Sequence, residues 1–417
     1  MHKSISSQFR RILSGRTPLF LAVLGMLASS AFGQTLTTLY SFGAYSTDAV
    51  APGFGVTFDK SGNLYGTTGF GGFQGINGTV FKLTPPASAG GSWTETLVHL
   101  FRGTPDGKIP QSRLVLTSQG LVGTTEHGGA DDLGTVYLIG TTEAATGRES
   151  ILHSFGTVPD DAASANQPVF PAAEGFYAVD QGGANNTGVF YLLSRSVGSA
   201  TYTQDILYSF GKVGSGDAAF PSGDLVRDSK GNFYGLTGQG GTNNLGAVYE
   251  LSPPASGSGP WTEKVVFSFS SNEANGTLPA GHLVLGPRGV LYGTTNGGGA
   301  SGAGTIFQLT PPASASGAWR ETVLYSFTGG SDGGFPENGV ISDGKGNLLG
   351  AAGNQVFRLN KPQSAGGSWT ESVLHSFSGP DGFFVTGPLT LSNGSVYGTT
   401  SAGGDFGVGT AYQLTLQ

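Results

Sequence analysis

A short segment ending in phenylalanine recurs seven times along the 417-residue chain. Each copy is a Tyr, His or Phe, then Ser or Leu, then Phe, and the copies end at Phe42, Phe101, Phe155, Phe210, Phe269, Phe327 and Phe377. Successive copies are 59, 54, 55, 59, 58 and 50 residues apart. Repetition at such a period indicates one supersecondary unit arrayed many times, and it constrains the fold more than chain length does.

Four short runs within one repeat have the composition of β-strands. In the clearest copy they span residues 281–285, 290–295, 305–310 and 321–327. Each run is rich in β-branched and aromatic residues and is bounded by Gly, Pro or Asn. Glycine supplies 73 residues and charged residues only 11%, which favours dense turns and few helices. Because four antiparallel strands make one propeller blade, the sequence predicts an all-β, seven-bladed β-propeller.

The second predicted strand carries a glycine at one fixed position in six of the seven repeats. These glycines are Gly66, Gly123, Gly235, Gly293, Gly350 and Gly398. Glycine weakens a strand, so its recurrence at this position predicts a close approach of neighbouring blades there. We expect the Phe that ends each fourth strand to fill the wedge between blades.

The two ends of the repeat region complement each other. Residues 35–42 resemble a fourth strand without its three companions, whereas residues 409–415 resemble a third strand that lacks a fourth. We therefore predict that the N-terminal strand completes the last blade and closes the ring, which removes open sheet edges. A linear solenoid with two open ends is the alternative.

The first 33 residues have the pattern of a signal peptide. A basic region with Lys3, Arg10, Arg11 and Arg16 precedes the apolar residues 19–28 and the small residues Ala31 and Gly33. The apolar run is shorter than the roughly 20 residues of a membrane-spanning helix, so a single-pass anchor is the less favoured alternative. The expectation is a signal peptide at 1–33 and one propeller domain at 34–417. We expect the mature protein to be secreted, with periplasmic or cell-surface locations as alternatives.

Charge and cysteine content narrow the choice of partners. The leader holds 4 of the 20 basic residues and none of the 27 acidic ones, so the mature chain has a formal charge of 16 − 27 = −11. Such a charge disfavours nucleic acid and anionic membranes as partners. The chain contains no cysteine, so it has neither disulfides nor thiolate metal ligands. We expect a monomer without a cofactor.

The first repeat resembles a known repeat family. The motifs that carry the resemblance are residues 59–68, Gly71-Gly72, residues 78–86 with their Pro-Pro pair, and the Trp-Thr-Glu-Thr segment 93–96. They look like the GloVer tandem repeat of exported bacterial proteins, a family that implies no established activity. The resemblance covers essentially all of the mature chain and departs at 139–149 and 194–204, where Pro-Pro and Trp are missing. Members often carry a C-terminal anchor; none is visible here, which favours a released protein.

One face of the predicted disc is the better candidate for recognition. Strand alternation places the glycine loops between second and third strands on the same side as the connections between blades, and loops on a rigid scaffold carry most binding sites. The candidate binding residues there, or in the channel, are Glu126, His127, His282, Asp332, Glu337 and Asp381. In the sixth repeat the glycine loop is missing, so we expect a notch near Asp332, Glu337 and Asp381.

Catalytic and metal-binding patterns are weak. His99, His153 and His375 occupy a position that Tyr fills in other repeats, which favours a packing role. The Asp-Gly pairs of the blade connections could suggest calcium, but each offers one or two oxygens, and Asp before Gly is typical of a turn. Trp93, Trp261, Trp319 and Trp369 share one repeat position and are expected to cover the blade ends. We expect no catalytic residue and no metal ligand.

The sequence favours an exported, non-catalytic propeller that binds an extracellular polysaccharide or a surface protein. The alternative is a secreted propeller enzyme, a glycoside hydrolase, lyase or lactonase, with acidic residues at the channel mouth. A purely structural role in the cell envelope or matrix is a third possibility. Propellers support both binding and chemistry, so the fold does not choose between them. Paired carboxylates about 5–10 Å apart at the channel mouth would favour a glycosidase.

Overall fold

A computed structural model describes most of the chain after residue 33. The described residues are 34–45, 48–71, 77–88, 90–141, 147–195, 202–211, 216–255, 257, 259–270, 273–314, 317–364 and 366–416. The predicted signal peptide lies outside the described residues, and its cleavage stays a prediction. Two three-residue 3-10 turns, Glu273–Asn275 and Pro287–Gly289, are the only helical segments in this part of the chain. Neither could cross a membrane.

Within the described residues, thirty strands form seven antiparallel sheets, one for each repeat. The first strand is β1 (Thr35–Ser41). Blade 1 contains β2 (Ala49–Phe58), β3 (Leu64–Gly71), β4 (Thr79–Thr84) and β5 (Thr94–Leu100). Blade 2 contains β6 (Gly107–Pro110), β7 (Val115–Leu116), β8 (Leu121–Gly128), β9 (Thr135–Ile139) and β10 (Glu149–Ser154). Blade 3 contains β11 (Ala162–Ala163), β12 (Phe170–Pro171), β13 (Gly175–Gly182), β14 (Val189–Ser194) and β15 (Thr203–Ser209).

The remaining four blades follow in chain order. Blade 4 contains β16 (Ala218–Arg227), β17 (Phe233–Gly240), β18 (Ala247–Ser252) and β19 (Thr262–Ser268). Blade 5 contains β20 (Thr277–Leu285), β21 (Leu291–Gly297), β22 (Thr305–Thr310) and β23 (Arg320–Ser326). Blade 6 contains β24 (Val340–Ser342), β25 (Leu348–Ala352), β26 (Gln355–Asn360) and β27 (Thr370–Ser376). Blade 7 contains β28 (Phe383–Ser392), β29 (Ser395–Ala402), β30 (Thr410–Thr415) and, as its outer strand, β1.

The ring closes through the N-terminal strand, as the sequence predicts. Strand β1 pairs antiparallel with β30 from Thr35 opposite Thr415 to Ser41 opposite Thr410. The last and first blades also touch at the centre, where the Thr386 hydroxyl donates to the Pro52 carbonyl at 3.1 Å. The seven-bladed propeller is therefore confirmed, and the linear solenoid is wrong.

Aromatic pairs join each blade to the next. The seven phenylalanines that end the fourth strands are all buried, with at most 4% exposure. Each packs on an aromatic side chain of the third strand of the following blade, for example Phe42 on Phe81 with ring centroids 5.0 Å apart and Phe210 on Tyr249 at the same separation. The prediction that these side chains fill the wedge between blades is confirmed.

The recurrent glycine of the second strand makes room within its own blade. A Cβ at Gly293 would lie 2.5 Å from the ring of Phe307, the residue directly opposite on the third strand. The prediction that neighbouring blades approach closely at this glycine is wrong. The Phe307 ring that covers Gly293 is also the surface on which Phe269, the terminal Phe of the preceding blade, packs.

The threonines and tryptophans of the repeat also have packing roles. The second Thr of the Tyr-Gly-Thr-Thr motif hydrogen bonds to the Thr that starts the third strand, as between the hydroxyls of Thr295 and Thr305 at 2.8 Å. Trp319 and Trp369 pack on the second-strand tyrosine of the preceding blade, with ring centroids about 6 Å apart. These tryptophans therefore close the blade ends, as the sequence predicts.

The inner strands bend away from their partners half-way along, and this bend forms the central channel. Pairing between β20 and β21 is interrupted from Ala280 to Val284, so Gly281 and His282 leave the ladder. Equivalent interruptions occur in β2, β16 and β28. Inner strands meet so closely that a Cβ at Gly223 would collide with the Gly281 carbonyl of the next blade. The bulged residues are consequently the ones that face the channel.

Candidate binding face

A left-handed residue lies near the start of every inner strand. The seven residues, with φ between 52° and 58°, are Ala51, Ile109, Ser164, Phe220, Leu278, Phe335 and Phe384. A non-glycine residue in this conformation costs about 1–2 kcal/mol, so the surrounding structure must hold it. The amide of Phe335 donates to the Ala303 carbonyl at 2.8 Å, and Ile109 donates to the Asn77 carbonyl at the same distance. Each acceptor belongs to the glycine loop of the preceding blade.

These contacts place the glycine loops and the blade connections on one side of the disc, in agreement with the sequence-based prediction. Because the left-handed conformation is fixed by a neighbouring blade, the side chains of this ring are presented in a set direction. Three consecutive blades present large exposed side chains there: Leu278, Phe335 and Phe384, which are 51%, 56% and 54% exposed. The binding face therefore has an apolar sector over blades 5 to 7.

Blade 6 lacks a glycine loop, and a notch opens beside it. Only Gly353 and Asn354 connect β25 to β26. The Asn354 side chain takes over the function of the missing loop, since its Oδ1 accepts the Phe384 amide at 2.8 Å. A cavity of about 460 Å³ lies here, and its lining includes Asn296, Phe335, Glu337, Asn338, Phe384 and Ser401. We call this cavity the notch.

Polar groups line the notch together with its two aromatic side chains. Glu337 is exposed, and its Oε1 accepts a hydrogen bond from Asn296 Nδ2 at 3.0 Å. Asn338 Nδ2 donates a hydrogen bond to the Val385 carbonyl at 3.5 Å. A site with amides, a carboxylate and hydroxyls beside exposed rings suits a polar molecule that has apolar faces.

The notch continues into the central channel. A second cavity of about 310 Å³ is lined by residues in or beside the inner strands of all seven blades, and Glu337, Asn338 and Thr386 line both cavities. Arg113 reaches across the channel, with Nη2 2.7 Å from Asp224 Oδ2. His282 also lines it, and burial lowers the pKa of its imidazole. This His is therefore neutral near pH 7.

The predicted site residues separate into two groups. Glu126 accepts a hydrogen bond from Gln111, which lines the channel, and His282 and Glu337 line the cavities directly. His127 lies in its glycine loop, with Nδ1 3.4 Å from the Asp132 carbonyl oxygen. His282 and Glu337 thus line the cavities, Glu126 contacts them only through Gln111, and His127 lines neither.

Asp332 and Asp381 lie outside the notch, contrary to the expected lining. Asp332 accepts the Tyr325 hydroxyl at 2.9 Å and the Thr328 amide at 2.8 Å. Asp381 lies 2.7 Å from His375 Nε2 and accepts the Ser378 amide. Both carboxylates thus stabilise the turn between two blades, because the blade connection folds back on the preceding fourth strand.

A recurrent polar contact joins consecutive blades, and sequence reasoning missed it. Each complete set contains three side chains that lie close together. They are a Tyr or His of one fourth strand, the Asp of the following connection and a Glu of the next fourth strand. The four complete sets, which we call boundary triads, are Tyr40–Asp48–Glu95, His99–Asp106–Glu149, Tyr208–Asp217–Glu263 and Tyr325–Asp332–Glu371. Burial, followed by the neighbouring Asp217 carboxyl, raises the pKa of Glu263 to about 9.

The three histidines that replace Tyr have a second contact besides packing. His99, His153 and His375 pack on the following Phe as predicted, but each imidazole also faces an Asp.

A protein-family model shows which family the chain belongs to. The model of the Gloeobacter/Verrucomicrobia repeat matches residues 24–191 and 141–360. The chain belongs to this repeat family. The resemblance seen in its motifs is thereby confirmed, and the boundary triads and the left-handed ring are features of this member's repeats. A search of curated proteins found no match.

Solved structures share the fold at low sequence identity. The chain is similar to the polysaccharide lyase Uly1 (11% identity, 90% of this chain and 93% of that one, TM-score 0.51). It is also similar to PorZ, a surface component of the type-IX secretion system of Porphyromonas gingivalis (12%, 88% and 47%, 0.52). A third neighbour is the extracellular domain of a hybrid two-component system from B. thetaiotaomicron (14%, 92% and 41%, 0.51). The chain spans less than half of the last two proteins, and these similarities show a common fold alone.

Proposed function

We propose that this protein is an exported propeller that binds a neutral polysaccharide in the notch over blades 5 to 7. The observation that carries the proposal is the pair of exposed rings, Phe335 and Phe384, in the lining of one cavity with amide, carboxylate and hydroxyl groups. Sugar rings have an apolar face of C–H groups and an equatorial edge of hydroxyls. The C–H face packs on the negative face of an aromatic ring, while the hydroxyls exchange hydrogen bonds with side chains.

Rigidity supports a binding role for the two rings. Phe335 and Phe384 have φ of 56° and 57°, and each amide is held by a hydrogen bond of 2.8 Å to the preceding blade. A platform whose backbone is already ordered loses little conformational entropy when a ligand binds. Large exposed apolar side chains that are held in place mark an interaction surface.

Charge favours a neutral glycan over an acidic one. The full chain has a formal charge of −7, and Glu337 adds a carboxylate in the notch itself. A polyanion such as alginate would be repelled by both. A neutral glucan or xyloglucan would meet no such repulsion, and its hydroxyls would find both donors and acceptors.

The carboxylates at the channel mouth favour binding over hydrolysis. Asp224 is paired with Arg113, Glu337 with Asn296 and Glu126 with Gln111. A glycosidase needs one carboxyl as an acid and a second as a base or nucleophile, both directed at the same bond. Each of these three carboxylates is instead engaged with a neighbour in a different blade or strand. One similar fold is named a polysaccharide lyase, which makes product analysis part of the test.

Affinity electrophoresis tests the proposal. Native gels that contain laminarin, xyloglucan, dextran or alginate would be run with the protein from Gln34 onward, which migrates as an anion. We expect retardation by a neutral glycan and none by alginate. Phe335→Ala and Phe384→Ala should each weaken retardation about tenfold or more, as expected for a central aromatic contact.

Phe70→Ala is the matched control, because Phe70 is equally exposed, at 58%, but lies on blade 1. It should leave retardation unchanged. Shortened glycan chains after incubation would assign the protein to the enzymes. No retardation by any neutral glycan would exclude the polysaccharide proposal and direct attention to a protein partner.

A further inference from the structure

The boundary triads differ in the residue at their first position, and this difference has a chemical consequence. In three of the four complete triads the residue is Tyr, which brings its own hydroxyl proton. Tyr40 and Tyr325 donate to their Asp at 3.2 and 2.9 Å, and Tyr208 donates to Asp217 at 3.2 Å. The Tyr40 hydroxyl also lies 3.4 Å from Glu95 Oε2, so in that set one O–H donor stands between two carboxyl groups.

The triad between blades 1 and 2 has an imidazole in place of the phenol. His99 Nε2 lies 3.5 Å from Asp106 Oδ2 and 3.7 Å from Glu149 Oε2. Hydrogen bonds from ring nitrogens are about 2.7–3.2 Å long, so both separations are too long. Among the described residues, His99 Nε2 and Glu149 Oε1 are buried atoms without a hydrogen-bond partner. Glu263 Oε1 and Glu371 Oε1 of two Tyr triads are also unpartnered, so the unpartnered imidazole nitrogen is what distinguishes this triad. The two side chains are only 15% and 13% exposed.

The other two histidines that face an Asp differ from His99 in lacking a third ligand. His375 Nε2 is 2.7 Å from Asp381 Oδ2, a normal hydrogen bond, and His153 Nε2 is 3.3 Å from Asp161 Oδ2. Neither histidine has a third ligand, since the position of Glu149 is taken by Gln204 in one case and by Leu36 in the other. Within the described ranges, His99, Asp106 and Glu149 are the single group of three His, Asp or Glu side chains whose ligand atoms all lie within 4.8 Å of one another.

The separations fit a small divalent cation. Zinc binds His nitrogen and carboxylate oxygen at about 2.0–2.2 Å in a tetrahedron, which places neighbouring ligand atoms about 3.3–3.6 Å apart. One imidazole and two carboxylates suit zinc and similar transition metals, whereas calcium takes six to eight oxygens. No Lys or Arg of the described residues forms an ion pair with Asp106 or Glu149, so the two carboxylates have no fixed cation beside them.

We propose that His99, Asp106 and Glu149 bind one zinc ion, which fastens the fourth strands of blades 1 and 2 to the connection between them. The three ligands leave a fourth position for water. Since the site lies at a blade boundary and not in the notch, it is independent of polysaccharide binding. Its role is to stabilise this boundary, where an imidazole takes the place of the tyrosine hydroxyl.

Two repeats of the same chain provide the variants for the test. His99→Tyr reproduces the triad of Tyr40, and Glu149→Gln reproduces the residue of blade 3, so both substitutions have a precedent in a folded blade. His375→Tyr is the matched control, because it alters a histidine that has an Asp partner but no Glu. Tag-free protein from Gln34 onward would be stripped with a chelator and titrated calorimetrically with Zn²⁺, and Co²⁺ would report the ligand set through its visible absorption.

We expect one equivalent of Zn²⁺ for the parent protein and for His375→Tyr. Loss of an outer-shell partner weakens metal binding ten- to hundredfold, so loss of a direct ligand in His99→Tyr or Glu149→Gln should weaken it by more than about 100-fold. Zn²⁺ should raise the melting temperature of the parent and not that of these two variants. Absence of a stoichiometric Zn²⁺ site in the parent, or equal affinity in parent and His99→Tyr, would overturn the proposal.

Discussion

At the boundaries between blades the same side chains recur from one repeat to the next, whereas around the channel mouth the equivalent positions differ. Every fourth strand ends in a buried Phe, and every complete boundary triad contains Asp and Glu. The left-handed ring of the binding face instead contains Ala, Ile, Ser, Leu and Phe at structurally equivalent places. Every blade boundary has the same packing geometry, so the residues that join the blades are under the same constraint in each repeat. The residues of the face are not under such a constraint. Specificity can therefore vary on a scaffold that stays constant.

The comparison is sharpest at ring closure, where loss of one strand should have the largest effect. Deletion of residues 34–42 would expose the edge of β30 and remove Phe42 from the first boundary. Because an open edge pairs with other chains, we expect oligomers or aggregates in size-exclusion chromatography and the loss of a cooperative melt. A monomer with the melting temperature of the parent would contradict closure by β1.

Two phenylalanines in different regions should differ in their contribution to stability. Phe210 is fully buried at a blade boundary, whereas Phe384 is 54% exposed on the face. Phe210→Ala should lower the free energy of unfolding by about 3–5 kcal/mol, since it leaves a cavity. Phe384→Ala should change it by less than about 0.5 kcal/mol. Urea unfolding followed by fluorescence measures both, and equal losses would show that the face also carries the packing.

The glycine opposite an aromatic residue provides a smaller perturbation of the recurrent framework. In Gly293→Ala the new methyl would overlap the Phe307 ring and lie 3.0 Å from Leu283 Cδ2. We expect a loss of about 1–3 kcal/mol in the free energy of unfolding from overpacking. Gly238→Ala is the control, because a Cβ there meets no atom within 4 Å. If both variants unfold at the same urea concentration, the glycine has another role.

The boundary triads should make stability depend on pH. Burial and Asp217 raise the pKa of Glu263 from 4.5 to about 9 in the folded protein. Between these values the folded state holds a proton that the unfolded state releases, so the free energy of unfolding should fall as pH rises from about 4.5 to about 9. Glu263→Gln should flatten this slope in urea titrations at several pH values. A slope unchanged by the substitution would show that Glu263 ionises normally.

The sequence predicts the fold well because the same pattern of strands recurs in every repeat. The period, the four strand-like runs and the unpaired runs at 35–42 and 409–415 determine blade number and closure without any knowledge of side-chain contacts. The role of the recurrent glycine was misjudged, since cross-strand register decides which ring covers it. Gly293 faces Phe307 of its own blade, and that pairing is visible only once the strands are aligned.

The candidate sites could be predicted only in part. The missing glycine loop at 350–357 indicated the notch, but its aromatic walls depend on left-handed residues whose conformation is set by another blade. The cluster of His99, Asp106 and Glu149 combines two repeats and the connection between them. A signal for it exists, because His replaces Tyr before an Asp and a Glu of fixed repeat position. That signal can be interpreted only when these three positions are known to meet in space.

The most direct test of the account is to locate a bound glycan by hydrogen–deuterium exchange. The protein would be compared with and without the neutral polysaccharide that retards it most in affinity gels. We predict slower exchange in segments 294–297, 334–338 and 383–386, which line the notch, and unchanged exchange in the fourth strands at the blade boundaries. Protection confined to the boundaries, or to the opposite side of the disc at the Pro-Pro loops, would contradict the claim that recognition belongs to the face where the repeats differ.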